Sequence, residues 1–129
     1  MGFQKLKAYI LGYNLAMDIY LSTKGFPKSE TYALTDQVRR SSRAICTNVA
    51  EAYRKRQYPK HFVSKLSDAD AENSETQVWI AFAVDCGYIS REFGSEILKR
   101  SGEIGRLLQY MMANPEKFGS SPLPTATAN

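Results

Sequence analysis

The sequence predicts an all-α protein, an up-down-up-down four-helix bundle, from three observations. Apolar residues recur at steps of three and four in four separate stretches, the spacing that gathers them on one side of a helix. Chain breakers separate the stretches: Lys24-Gly25-Phe26-Pro27, Gln57-Tyr58-Pro59, and Gly87 followed by Ser90. No stretch alternates apolar and polar residues as a half-buried strand does, and no segment repeats. Helices of about 20–28 residues joined by short breakers pack as an antiparallel bundle. At about 1.5 Å per residue each is roughly 30–40 Å long.

The first predicted helix runs from roughly Phe3 to Thr23. Phe3, Leu6, Ile10, Tyr13, Met17 and Tyr20 make a heptad-like seam, the expected core face. Tyr9, Leu11, Leu15, Ile19 and Leu21 add apolar surface on other sides, which predicts a second contact, across the bundle or to another subunit. Gly25 suits a left-handed cap, and Pro27 cannot continue the old helix but can open a new one.

The second helix, from about Ser29 to Arg56, organises the chain. Leu34, Val38, Ser41, Ile45, Val49 and Ala52 share one side and form a seam, with small residues that let a neighbouring helix come close. Asp36, Arg40, Arg43, Thr47, Glu51 and Arg54 share the opposite side. Pro59 suits the first turn of a third helix. There Phe62, Leu66, Ala69, Asn73, Thr76, Ile80 and Ala83 form the seam. Asn73 and Thr76 are polar in it and are expected to hydrogen-bond across the core. Gly87 stops this helix at its C-cap.

Ser90 is the predicted N-cap of the fourth helix, with Glu92 favourable in its first turn. Phe93, Ile97, Ile104, Leu108 and Met111 give its apolar side, and it ends near Asn114-Pro115. Gly102 and Gly105 predict a close helix contact. Residues 1–118 thus read as one four-helix bundle domain. Residues 119–129, GSSPLPTATAN, are small, polar and Pro-containing, and read as a disordered C-terminal tail.

Composition narrows the function classes. With 129 residues and an ordinary apolar share, the chain can bury a real core without staples. Cys46 and Cys86 belong to no CxxC or Cys/His set, which fits small core residues in a reducing, cytoplasmic setting. The start of the chain lacks the charged, apolar and small-residue succession of a signal peptide. The longest unbroken apolar run, Val78 to Val84, is too short to span a bilayer, so no membrane partner is expected.

A di-metal carboxylate bundle needs two Glu-x-x-His pairs, but His61 is the sole histidine and Tyr58 stands three residues before it. Asp68, Glu72 and Glu75 are the only candidate oxygen ligands for magnesium in a nucleotide hydrolase, and a solvated or ion-paired acidic face explains them more simply. No catalytic set can be assembled around one histidine, and no Gly-rich phosphate loop appears. The expectation is a non-enzyme without cofactor or metal.

Charge is the stronger signal. The net charge is +4. Residues 1–66 hold twelve Lys/Arg against four Asp/Glu, a net of +8, and residues 67–129 hold five against nine, a net of −4. One end of such a molecule suits a polyanion, although oppositely charged helices side by side give the same split. The candidate nucleic-acid contacts are Arg39, Arg40, Arg43, Arg54, Lys55, Arg56 and Lys60, with Tyr58 for stacking. Guanidinium and ammonium groups neutralise phosphates, and tyrosine stacks on unpaired bases.

The stretch FPKSETYALTDQVRRSSRAICTNVAEAYRKR resembles the signature of the bacterial 23S rRNA intervening sequence proteins. The matching residues are Phe26, Pro27, Glu30, Leu34, Gln37, Arg39, Arg40, Ile45, Asn48, Ala50, Glu51 and Arg54. ETQVWIAFAVDCGYI and the opening FQKLKAY are also similar, so the resemblance covers about residues 3–112. Ala52 stands where the pattern has glycine, and Val49 where it has isoleucine. The resemblance implies a four-helix bundle assembling as a ring-shaped homo-oligomer, a homopentamer, with no enzyme activity. Genes of the family lie inside insertions in 23S rRNA genes. A related group, the accessory protein of diversity-generating retroelements, is a basic ring that binds nucleic acid and a reverse transcriptase. The partners this implies are further copies of the chain and RNA or DNA. The alternative reading is a protein-interaction scaffold, whose apolar first helix and acidic third helix recruit a protein partner.

Overall fold

The computed structural model describes residues 2–123 of the 129. Four long helices make up the fold: α1 (Lys7–Thr23), α2 (Asp36–Arg54), α3 (Pro59–Asp85) and α4 (Arg91–Ala113). No strand occurs among the described residues. Each helix packs on its sequence neighbours and α1 closes on α4, with the most extensive contact between α2 and α3. This is the up-down-up-down bundle that the short breakers dictate.

The predicted seams of the second and third helices face the core residue for residue. Leu34, Val38, Ser41, Ile45, Val49 and Ala52 are buried, and so are Phe62, Leu66, Ala69, Asn73, Thr76, Ile80 and Ala83. Ser41 Oγ and Thr76 Oγ1 lie 2.8 Å apart at the α2–α3 contact. The Asn73 side-chain amide donates to the Ser101 carbonyl at 2.9 Å, and the Ser101 hydroxyl donates back to Asn73 Oδ1 at 2.7 Å. Gln77 donates to the same hydroxyl at 2.8 Å. Such a satisfied network fixes the register of α3 on α4 without leaving an orphaned polar group.

α1 presents a different face from the one its large residues predict. Its core side is Ala8, Gly12, Leu15, Ala16 and Ile19. Of the predicted seam, Ile10, Tyr13 and Met17 are 43%, 51% and 42% exposed. A β-carbon at Gly12 would meet Ile45 and Cys46 at 3.3 Å, so close approach to α2 selects the small-residue face. Ile10, Tyr13, Met17 and Leu21 are left outside, while Leu15 and Ile19 fill the core. Asp18 and Arg100 pair at 2.7 Å and tie this helix to α4.

The second predicted helix is divided at its start. A 3-10 turn (Lys28–Glu30) and a segment kinked at Ala33 (Thr31–Thr35) precede α2, with Ala33 at φ −120°, ψ −106°. The Glu30 carboxylate accepts from Leu34 N at 3.4 Å and from the Tyr88 hydroxyl at 2.9 Å. Those bonds tie the kinked segment to the α3–α4 corner. Phe3–Lys5 likewise forms a separate 3-10 turn before α1.

Cap residues follow the sequence closely. Pro59 opens α3, Ser90 Oγ accepts from Phe93 N at 3.0 Å, and Gly87 takes φ +78°, which an L side chain resists. Gly25 keeps a negative φ; the turn after α1 closes instead through Gly25 N and Phe26 N donating to the Ser22 and Thr23 carbonyls. Gly105 does lie against Asn73. The tighter approach is at Gly94, whose missing β-carbon makes room for Val84. Gly102 faces no other helix closely.

Cys46 is buried, as expected, but Cys86 is exposed just past α3. Burial pushes the Cys46 thiol up to about 11, so it stays protonated and donates to the Tyr9 carbonyl at 3.7 Å. No described helix is long and apolar enough to cross a membrane. Of the predicted tail, Ser120 is buried and donates its amide to the Pro115 carbonyl at 3.0 Å. Residues 124–129 lie outside the described residues.

Candidate nucleic-acid interface

Because the seam of α2 is buried, the opposite side is fixed in solvent by helix period alone. Asp36, Arg40, Arg43, Thr47, Glu51 and Arg54 are all exposed. The eight candidate contacts divide into two groups at the two ends of this face.

Arg39, Arg40 and Arg43 line a surface groove of about 560 Å³ with Thr31, Tyr32, Thr35, Asp36, Ala44 and Thr47. Tyr20, on α1, organises the group. The guanidinium carbons of Arg39 and Arg43 lie 4.8 and 5.7 Å from its ring centre, and Lys24 Nζ lies 5.1 Å away. Each such contact contributes about 0.5–1 kcal/mol at an exposed site. Arg39 Nε also donates to Thr23 Oγ1 at 2.8 Å. These two arginines are therefore pre-positioned while keeping their charge unneutralised by any described carboxylate.

Arg40 differs. Its Nη2 lies 3.1 Å from Glu75, its Nη1 lies 3.8 Å from Glu72, and it also bonds Gln37 at 3.1 Å. The acidic side of α3 holds this cation in an intramolecular pair. Burial, and then the neighbouring Glu75, raise the Glu72 carboxyl above its ordinary value, while Arg40 opposes the rise.

The second group surrounds the α2–α3 turn. Arg54, Lys55 and Lys60 are exposed and in no ion pair with a described residue. Arg56 is half-buried; its guanidinium lies 4.0 Å over the Tyr53 ring and Nη1 donates to the Tyr53 carbonyl at 2.9 Å. Tyr58 is 55% exposed and sits edge-on to His61, with ring centres 6.0 Å apart. Arg43 and Arg54 are close to three whole helical turns apart, so they share a face about 16 Å from end to end. Between them Glu51 is engaged by Lys65 at 2.8 Å, which removes a carboxylate from competition with a bound polyanion.

Two contributors escaped the sequence reading. Tyr20 sits on the seam assigned to the core, and Tyr32 lies where a continuous helix was expected. A tyrosine beside the arginine stretch was visible, but its placement depends on the kink at Ala33. Among the described residues no three His, Cys, Asp or Glu side chains are grouped to hold a metal ion.

A family model described as 23S rRNA-intervening sequence protein matches residues 4–110. The chain belongs to this family. The 23S rRNA-intervening sequence family model spans all four helices, both cationic groups and the acidic side of α3. A solved structure from Bacteroides thetaiotaomicron, a protein of unknown function from the S23 ribosomal protein family, superposes with a TM-score of 0.73 at 27% identity. The match covers 81% of this chain and 94% of that one. No curated protein matches the sequence.

The Arg40 pairing generates a pH-dependent expectation. Arg40→Ala leaves Glu72 and Glu75 facing each other, so the Glu72 carboxyl rises further. A carboxyl raised in the folded state makes folding less favourable as pH climbs through that range. The variant should lose less than about 1 kcal/mol at pH 7, since the pair is largely solvated, and recover most of it only at pH 4, below the ordinary value of the carboxyl. Thermal melting at both pH values checks this; an equal loss at both contradicts it.

Proposed function

We propose that this family member is a non-enzymatic nucleic-acid-binding protein whose contact surface is the outer face of α2, with RNA the favoured partner. The observation that carries the reading is the division of charge along that face. Arg43 and Arg54 project from it, and Lys55 and Lys60 flank its end at the α2–α3 turn, all without a carboxylate partner among the described residues, while Arg39 is held cationic against Tyr20. Fixed cations of this kind displace counterions from a phosphate backbone. Arg40 and Arg56 contribute less, the first being paired with Glu72 and Glu75 and the second folded onto Tyr53.

The same reading takes the molecule as a ring-shaped homo-oligomer, a pentamer as the family resemblance implies. The exposed strip Ile10, Tyr13, Met17 and Leu21 on α1 supplies an apolar surface of the kind that marks a protein interface. A ring would align the cationic faces of several copies and multiply their attraction for one polyanion.

The alternative is a protein-interaction scaffold. One observation favours it: Trp79 and Phe82 line an apolar groove of about 270 Å³ with Ala33 and Leu34, apart from the cationic face. A magnesium-dependent nucleotide hydrolase finds less support, because Arg40 already engages Glu72 and Glu75.

Filter binding of single- and double-stranded RNA and DNA over a range of salt tests the main reading. Log affinity should fall linearly with log salt, by roughly 0.7–0.9 per phosphate neutralised. Combining Arg43→Ala, Arg54→Ala and Lys55→Ala should flatten that slope by about two to three. Affinity that ignores salt, or no binding to any polynucleotide, contradicts the reading. For assembly, Met17→Glu should lower the native mass measured by light scattering while leaving the helical circular dichroism unchanged; an unaltered mass contradicts the α1 strip as the contact between copies.

A further inference from the structure

We propose that Tyr32 is a stacking platform for an unpaired base, so that the polynucleotide in the α2 groove is single-stranded at that point. The inference rests on the nucleic-acid reading above and specifies its substrate class. Tyr32 is 93% exposed, far more than any other large apolar side chain described. A tyrosine loses hydration benefit over its ring there and gains no packing, so the fold itself gives no reason for an aromatic at this position.

The backbone places it deliberately. A kink at Ala33, whose backbone lies outside helical geometry, separates Tyr32 from α2. The Glu30 carboxylate braces the kink, accepting from Leu34 N and the Tyr88 hydroxyl.

The ring stands on the rim of the groove that also holds Arg39, Arg40 and Arg43. The wall between them carries Thr35, 7% exposed, whose Oγ1 has no hydrogen-bond partner in the protein. An open aromatic face beside guanidinium groups already fixed on Tyr20 is the pairing that single-strand binders use, with stacking for the base and cations for its phosphates. A duplex keeps its bases stacked on one another and offers no free face to such a ring. Tyr58, in the second group, is less suited, because His61 already stands edge-on to it.

Fluorescence anisotropy of the full chain, with labelled oligouridine and with the duplex it forms with oligoadenosine, decides the matter at fixed salt. Wild type should bind the single strand more tightly than the duplex. Tyr32→Ala should weaken oligouridine binding about fivefold or more, the low end for loss of one stacked base, and leave duplex binding unchanged. Tyr32→Phe should retain wild-type affinity, since its π-face is intact. Because the side chain is solvent-exposed, both variants should melt as wild type does. Unchanged single-strand affinity in Tyr32→Ala, an equal loss on both probes, or no rescue by phenylalanine overturns the proposal. So does a fall in native mass, which would place Tyr32 between copies. If Arg43→Ala weakens both probes and Tyr32→Ala neither, the cationic reading stands and stacking alone fails; if wild type binds neither probe, both fall.

Discussion

The close approach of α2 and α3 is the constraint on which the other features depend. It runs along Ser41 and Ala52 on one helix and Ala69, Thr76 and Ala83 on the other, all buried. Small side chains allow the approach, and the Ser41–Thr76 hydroxyl pair at 2.8 Å sets its register. Once that side of α2 is committed to the core, helix period leaves its opposite side no alternative to solvent. The cations on it are exposed as a consequence of packing. A slip of one residue would bring Arg39 or Arg40 toward the interior, where an unpaired charge is far too costly to keep.

The contact between α2 and α3 also decides how much of the charge is available. The sequence is basic in its first half and acidic in its second, and the two halves meet at this contact. Arg40 joins Glu72 and Glu75 across it, while Lys65 and Glu51, both from the first half, neutralise each other. The split in charge is thus partly consumed inside one subunit. What remains is Arg39 and Arg43 at one end, and Arg54, Lys55 and Lys60 at the other. Tyr20 and Tyr53 hold the guanidinium groups of Arg39, Arg43 and Arg56 against ring faces, which limits the rotamer entropy that a bound phosphate must overcome.

The seam of α2 was legible because that helix is amphipathic in the simple sense, with polar residues opposite the core; that of α3 was legible from its unbroken steps of three and four, although Val78 and Phe82 lie exposed outside it. The seam of α1 was not. That helix is apolar on several sides, and a count of its large residues selects Ile10, Tyr13 and Met17, whereas packing selects Ala8, Gly12, Leu15, Ala16 and Ile19. Gly12 lets α1 close on α2, and that approach turns Leu15 and Ile19 inward in place of the larger-looking seam. The kink at Ala33 was invisible for a related reason. Nothing in TYALT forbids a continuous helix; the kink is braced by the bonds Glu30 accepts from Leu34 and Tyr88, and one of them comes from a distant part of the chain. The site inherited both blind spots, since Tyr20 lay on the wrongly assigned seam and Tyr32 inside the presumed helix. Arginine positions were readable, but their pairing was not, because it depends on which carboxylates α3 brings alongside.

One helix, α2, buries an apolar seam on its inner side and keeps free cations on its outer side. Backbone amide shift mapping of the isotope-labelled protein, titrated with oligouridine, measures this most directly. Perturbations should concentrate on Thr31–Thr47 and Arg54–Lys60, with α4 silent. Perturbations centred instead on the acidic residues of α3 and on α4, or absent throughout saturation with the oligonucleotide, would contradict the account.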